Sequence, residues 1–128
     1  MKKTIITPIK VRFGECDFYQ HVNNTVYLTY MDVALADYLR HIWPDLLSLS
    51  LLLHKVHMTV DFKDSATFED DLLVHSTLTA LGTTSATFSH VITKKNGKEI
   101  VSAKAIYALM DAKTGQKCPV PKELKELL

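Results

Sequence analysis

Hydrophobic and polar residues alternate along most of this chain, and one long apolar run interrupts them. Ile5, Ile9, Val11 and Phe13 are interleaved with polar residues such as Lys10 and Arg12. That period of two predicts a half-buried strand. Pro8 fits an edge position or a bulge near its start. No Gly or Pro interrupts residues 24–42, and Pro44 follows. This predicts a helix, with Asn23 or Asn24 as its N-cap and the proline helping to end it. Its residues are so largely apolar that the pattern predicts a helix buried nearly all round. One narrow stripe differs. Thr25, Thr29, Asp32 and Ala36 recur at helical spacing and suit a partner chain or a ligand channel.

Past the helix the period of two returns. Val56, Met58, Val60 and Phe62 alternate with Lys55, His57, Thr59 and Asp61. Residues 72–81, 84–93 and 100–110 read as three further strands. Asn96-Gly97 between the last two is a strong hairpin signal. Residues 121–128 read as a short helix with Pro121 at its first position. One strand, one long helix and four strands in succession predict an α+β fold. A single antiparallel sheet must wrap the helix, because no second helical layer exists to cover it.

Composition narrows the function classes. A chain of 128 residues, 47% hydrophobic, is one domain spanning 1–128 with a real core. A net charge of +1 asks for neither nucleic acid nor an acidic membrane surface. The lysines at 94, 95 and 98 read as a solvated hairpin tip. Two distant cysteines make no disulfide framework, so a reducing compartment is expected. The first eight residues begin like a secretory leader but lack its apolar run. The leucine-rich stretch 46–53 is too short to span a bilayer. A soluble cytoplasmic protein is the expectation.

The densest chemistry lies at the strand-to-helix junction. Asp17, His21, Asn23 and Asn24 fall within eight residues. A helix start offers unpaired N–H groups and the positive end of the helix dipole. A carboxylate beside such donors can activate water against a polarised carbonyl, or attack that carbonyl itself. The plainer reading of Asp17 is a loop residue bonded to nearby backbone N–H groups. Asn23 and Asn24 are equally natural as caps, and His21 as a structural histidine. Strand alternation would turn Cys16 away from Asp17, which predicts packing for the thiol. His54 and His57 are expected on opposite strand faces, so no histidine pair suggests a metal.

With those residues in place, the chain resembles the hotdog-fold acyl-CoA thioesterases, in the 4-hydroxybenzoyl-CoA and long-chain acyl-CoA branch. Phe13-Gly14-Glu15-Cys16-Asp17 is similar to the family's signature ending in a catalytic aspartate. Tyr19-Gln20-His21-Val22-Asn23-Asn24 with Tyr27-Leu28 is similar to the version in long-chain acyl-CoA and plant acyl-ACP thioesterases. The resemblance implies a five-stranded antiparallel sheet around one long helix, a homodimer or homotetramer, and an active site at the dimer interface. It implies acyl-CoA hydrolysis without metal or other cofactor. Asp17 would be general base or nucleophile, His21 an orienting residue, and the Asn24 N–H the oxyanion donor. Asn23, Tyr27 and Tyr30 are the candidate substrate-binding residues, although buried tyrosines also serve as plain core. The alternatives are an acyl-ACP thioesterase and a non-catalytic acyl-CoA-binding hotdog protein. Tyr19 stands where plant acyl-ACP thioesterases carry an asparagine, so no role of that asparagine is carried over. A hotdog dehydratase is disfavoured, because its His-Phe-Pro-type motif is not found.

Overall fold

The alternating segments form five strands, and the apolar run forms the helix that they hold. A computed structural model describes residues 3–128; Met1 and Lys2, the start of the leader-like stretch, lie outside the described residues. The strands are β1 (Thr4–Lys10), β2 (Leu51–Phe62), β3 (Asp71–Leu81), β4 (Ser85–Lys94) and β5 (Glu99–Asp111). The helices are α1 (Asn24–Arg40) and α2 (Lys122–Lys125). One antiparallel sheet runs in the order β1-β3-β4-β5-β2, with α1 packed on its inner face. This is the arrangement that the resemblance implied. No helix among the described residues is long and apolar enough to cross a membrane.

Local chemistry sets the boundaries of α1. The Asn23 side-chain oxygen accepts from the Thr25 N–H at 3.0 Å, an N-cap that satisfies one orphan donor. At the other end the chain leaves the helix at His41, ahead of Pro44. Tyr27, Tyr30, Met31, Ala34, Leu35, Tyr38 and Leu39 form the buried face. They meet inward residues of the sheet such as Leu72, Val74, Phe88 and Leu109 in two adjoining apolar clusters. The helix is not buried all round, as its composition suggested. Thr25, Thr29, Asp32, Val33 and Arg40 are exposed, because the sheet covers one side only.

Three strand readings change. β1 stops at Lys10, and Phe13 belongs to a 3-10 turn over Phe13–Glu15. Val11 remains buried while Phe13 does not. Pro8 lies in β1, an outer strand of the sheet, where its missing N–H is tolerated. In β2 the register slips between Lys55 and His57. A bulge at Val56 reverses the inward phase. Lys55 therefore turns inward and its ammonium meets Asp32 of α1 at 2.9 Å, while Val56 is exposed. The same slip puts His54 and His57 on one outer face, opposite Ala108 and Ile106, rather than on opposite faces. Pro121 proves to be the N-cap of α2 and not its first residue.

Candidate active site

A three-residue hairpin carries Asp17. The Asp17 N–H donates to the His21 carbonyl at 2.8 Å, and the Gln20 N–H donates to the Asp17 carbonyl at 2.9 Å. Gln20 closes the turn in the left-handed region, at φ 65°. Cys16 pairs with Val22 at its base. This arm is held down by the segment that follows β2. The Val22 N–H donates to the Ala66 carbonyl at 2.9 Å, and His21 bridges to Thr67.

One oxygen of the exposed Asp17 carboxylate accepts the Tyr19 N–H at 2.9 Å. That is the local bonding the plainer reading foresaw. It also orients the group while leaving the second oxygen without a hydrogen bond among the described residues. Asp17, Cys16 and Gln20 line a cavity of about 470 Å³ walled by Phe13 and Phe68. Cys16 thus shares the cavity with Asp17 while packing partly against the core. The alternation argument does not hold for it, because Cys16 leaves a 3-10 turn rather than continuing a strand.

The other expected residues divide. Asn24 is the first helical residue, and its N–H has no partner among the described residues. It is the orphan donor an oxyanion needs. Asn23 caps the helix, its side-chain oxygen also accepting the Thr25 hydroxyl at 2.9 Å. His21 is exposed, and its ring makes no hydrogen bond among the described residues. Tyr27 and Tyr30, expected at the substrate, are instead core residues, 1% and 3% exposed. The Tyr27 hydroxyl accepts the Ala66 N–H at 2.9 Å, and the Tyr30 hydroxyl donates to the Glu15 carboxylate at 2.8 Å. Burial, with bonding to Glu15 in the case of Tyr30, raises both phenols above their usual range. They stay neutral.

Two features escaped the sequence reading. Glu15 is half-buried at the base of the hairpin and receives Arg12 as well as Tyr30. Its signal was the spacing of Arg12 and Glu15, one 3-10 turn apart. The second is a cleft of about 270 Å³ between α1 and the start of β2. Leucines line most of it, among them Leu35, Leu39, Leu51 and Leu53, with Trp43 and one charged residue, Asp32. Its signal in the sequence is the leucine-rich stretch 46–53.

Comparison with known proteins agrees with this fold. Residues 11–128 match the family model of the Thioesterase-like superfamily. The long-chain acyl-CoA thioesterase FadM of Escherichia coli strain K12 is 31% identical over 127 residues, covering 95% of each chain. The PA5185 protein of Pseudomonas aeruginosa PAO1 superposes with a TM-score of 0.88 at 21% identity, over 97% of this chain and 88% of that one. A 1,4-dihydroxy-2-naphthoyl-CoA thioesterase from Synechocystis superposes with a TM-score of 0.83 at 18% identity, over 98% and 95%. One antiparallel sheet around one long helix, with this family and sequence match, makes the chain a hotdog-fold thioester hydrolase that belongs to the Thioesterase-like superfamily.

Proposed function

We propose that the protein hydrolyses fatty acyl-CoA thioesters to free acid and coenzyme A, with Asp17 supplying the attack. The leucine-lined cleft carries this reading. It follows α1 from Asp32 to Leu39, about two helical turns, and offers an aliphatic chain a long, mostly apolar wall in which Asp32 is the one charged lining residue. The two relatives named for their substrates act on CoA thioesters, one long-chain acyl and one aromatic. The leucines favour the aliphatic class for this chain, and neither relative points to a carrier protein.

In this reading the thioester carbonyl points at the Asn24 N–H, where the helix dipole favours developing negative charge. The free Asp17 oxygen takes a proton from water, or attacks the carbonyl carbon directly. Thiolate departs as the tetrahedral centre collapses, and on the direct route water then hydrolyses the acyl anhydride left on Asp17, releasing the acid and restoring the carboxylate. His21, exposed next to the carboxylate arm, orients water or the leaving thiol.

The cleft and the carboxylate of one chain lie apart along β2, and a second copy brings them together. β2 is a twelve-residue outer strand with one unpaired edge and exposed Leu52, Val56 and Phe62. Such an edge is a template for another strand. Antiparallel pairing of two β2 strands about their middle sets the Phe62 end of one copy against the Leu51 end of the other. The Asp17 hairpin is tied just beyond Phe62, at Ala66 and Thr67, and the cleft begins at Leu51. Each carboxylate then serves the partner's cleft in a homodimer.

Complementation tests both parts. Asp17→Asn removes the carboxylate, and Ala36→Trp fills the cleft. Each variant alone should fail on a long-chain acyl-CoA, while mixing and subunit exchange should restore activity. No recovery from two folded, exchanging variants would contradict the shared site. Full activity of Ala36→Trp on the long chain would contradict the acyl assignment.

A further inference from the structure

The base of the Asp17 hairpin is held by one residue, twice. Both carboxylate oxygens of Glu15 are occupied. One accepts the Tyr30 hydroxyl and the Arg12 N–H, each at 2.8 Å. The other accepts the Arg12 guanidinium, Nη2 at 2.9 Å and Nε at 3.2 Å. The Glu15 backbone carbonyl meanwhile accepts the Asn23 N–H at 3.0 Å. Glu15 stands two residues before Asp17, and Asn23 immediately before Asn24.

The consequence is geometric. The carbonyl bond closes the loop that begins after Glu15 and ends at the helix, fixing its two ends together. The Tyr30 bond ties the same residue to the second turn of α1, whose start supplies the Asn24 amide. The carboxylate is nearly buried, with 13% of its side chain exposed. Burial by itself would raise its pKa. The bonds from the Arg12 side chain, the Arg12 N–H and Tyr30 outweigh that and hold it below the usual carboxylate range. A half-buried charge held by three groups is confined in position.

We infer that Glu15 is a positioning residue for the hydrolysis, setting the distance from the Asp17 carboxylate to the Asn24 amide through Tyr30, Arg12 and Asn23. This rests on the assignment of Asp17 and Asn24 made above. Glu15 itself touches no substrate. Its worth lies in the steep penalty for misplacement, since a shift of about 1 Å can cost ~10² in rate.

The experiment is steady-state hydrolysis of one long-chain acyl-CoA by four variants, with thermal melts to establish folding. Glu15→Ala should lower kcat by about 10- to 100-fold with KM almost unchanged, because the cleft is untouched. Glu15→Gln keeps an acceptor for Tyr30 and should restore most of kcat. Tyr30→Phe deletes one bond with little change of shape, and should lower kcat less than Glu15→Ala does. It carries the test alone if the alanine variant fails to fold. Asp17→Asn runs beside them. If Asp17→Asn is inactive while Glu15→Ala and Tyr30→Phe keep wild-type kcat, the positioning role is wrong and the catalytic assignment stands. If Glu15→Gln is as poor as Glu15→Ala while Tyr30→Phe keeps wild-type kcat, the charge acts in the chemistry, and positioning is again overturned. If Asp17→Asn itself retains activity, the fault lies in the site assignment beneath both.

Discussion

Two hairpins in this molecule share one backbone design and differ in every residue that shapes it. At the β4–β5 tip, the Lys94 N–H donates to the Lys98 carbonyl, and the Gly97 N–H donates to the Lys94 carbonyl, both at 2.9 Å. Gly97 takes the left-handed position, at φ 91°, and Asn96 bonds back to the Lys98 N–H. The Asp17 hairpin repeats the pattern bond for bond, but a glutamine holds the left-handed position. Its tip is Phe18 and Tyr19, 92% and 75% exposed. The tip at 94–98 is built of residues that suit the turn, and salt bridges join its lysines to Asp70 and Asp71. The Asp17 tip accepts backbone strain and bare aromatic surface, which a molecule selected for stability alone would shed. Local rules are broken at the hairpin proposed to carry the catalytic carboxylate, and kept where only a turn is needed.

The largest way to separate the two hairpins is charge removal. Asp17→Asn keeps the Tyr19 N–H bond and the shape, and should lower turnover by roughly 10²–10⁴. Asn96→Ala at the other tip should leave turnover unchanged. Steady-state assays with circular dichroism check both.

Asn24→Pro is the next sharpest. Proline is welcome at the first helical position, and Asn23 already has the extended backbone, φ −59° and ψ 135°, that a following proline demands. The helix should survive while the amide N–H disappears. Turnover should fall by about 10²–10³ with little change in the melting temperature.

Between pH 7 and 4.5, acid should loosen the molecule through its core. His90 is fully buried between Ser76, at 2.8 Å, and the Tyr107 hydroxyl, at 3.3 Å. Burial, then the charge of Lys55, push its pKa down to about 4, with Asp32 opposing. The unfolded chain takes up this proton near pH 6.5 and the folded one near 4. This contribution to stability is therefore complete above pH 6.5 and is lost as pH falls towards 4. The loss is about 3 kcal/mol. Urea midpoints at pH 7 and pH 4.5 should show it in the wild type, and show it diminished in His90→Gln.

The smallest effects fall on the two left-handed residues. Gly97→Ala has open space around it, so strain alone should cost about 1–3 kcal/mol. Gln20→Gly relieves strain and should gain up to about 1 kcal/mol. KM should rise, because the Gln20 side chain walls the Asp17 cavity. Melts and steady-state kinetics on the pair check the opposite signs.

These residues also explain how far the sequence could be read. Strand period, the Asn23 cap, Pro8 at an edge and the Asn96-Gly97 turn all act over a few residues, so their chemistry is visible in one dimension. The helix start at Asn24 was legible because such a start declares itself locally, while the roles proposed for Asp17 and Asn24 come from the resemblance. The bulge at Val56 was not, because nothing in β2 marks the slip, which is fixed by pairing with β5. It turned Lys55 inward and moved His57 to the face of His54. Tyr27 and Tyr30 appeared available to substrate until their hydroxyls were seen to meet Ala66 and Glu15, and those partners are set by the tertiary fold. The leucine cleft needed α1 and β2 side by side before its shape existed.

The most direct test of Asp17 as the residue that drives hydrolysis is a single-turnover measurement. Enzyme in excess is mixed with one long-chain acyl-CoA, and free thiol is followed in time for wild type and Asp17→Asn. Binding amplitude should be the same in both, with thiol release slower in the variant by about 10²–10⁴. Equal rate constants in two folded proteins would instead make Asp17 a structural loop residue.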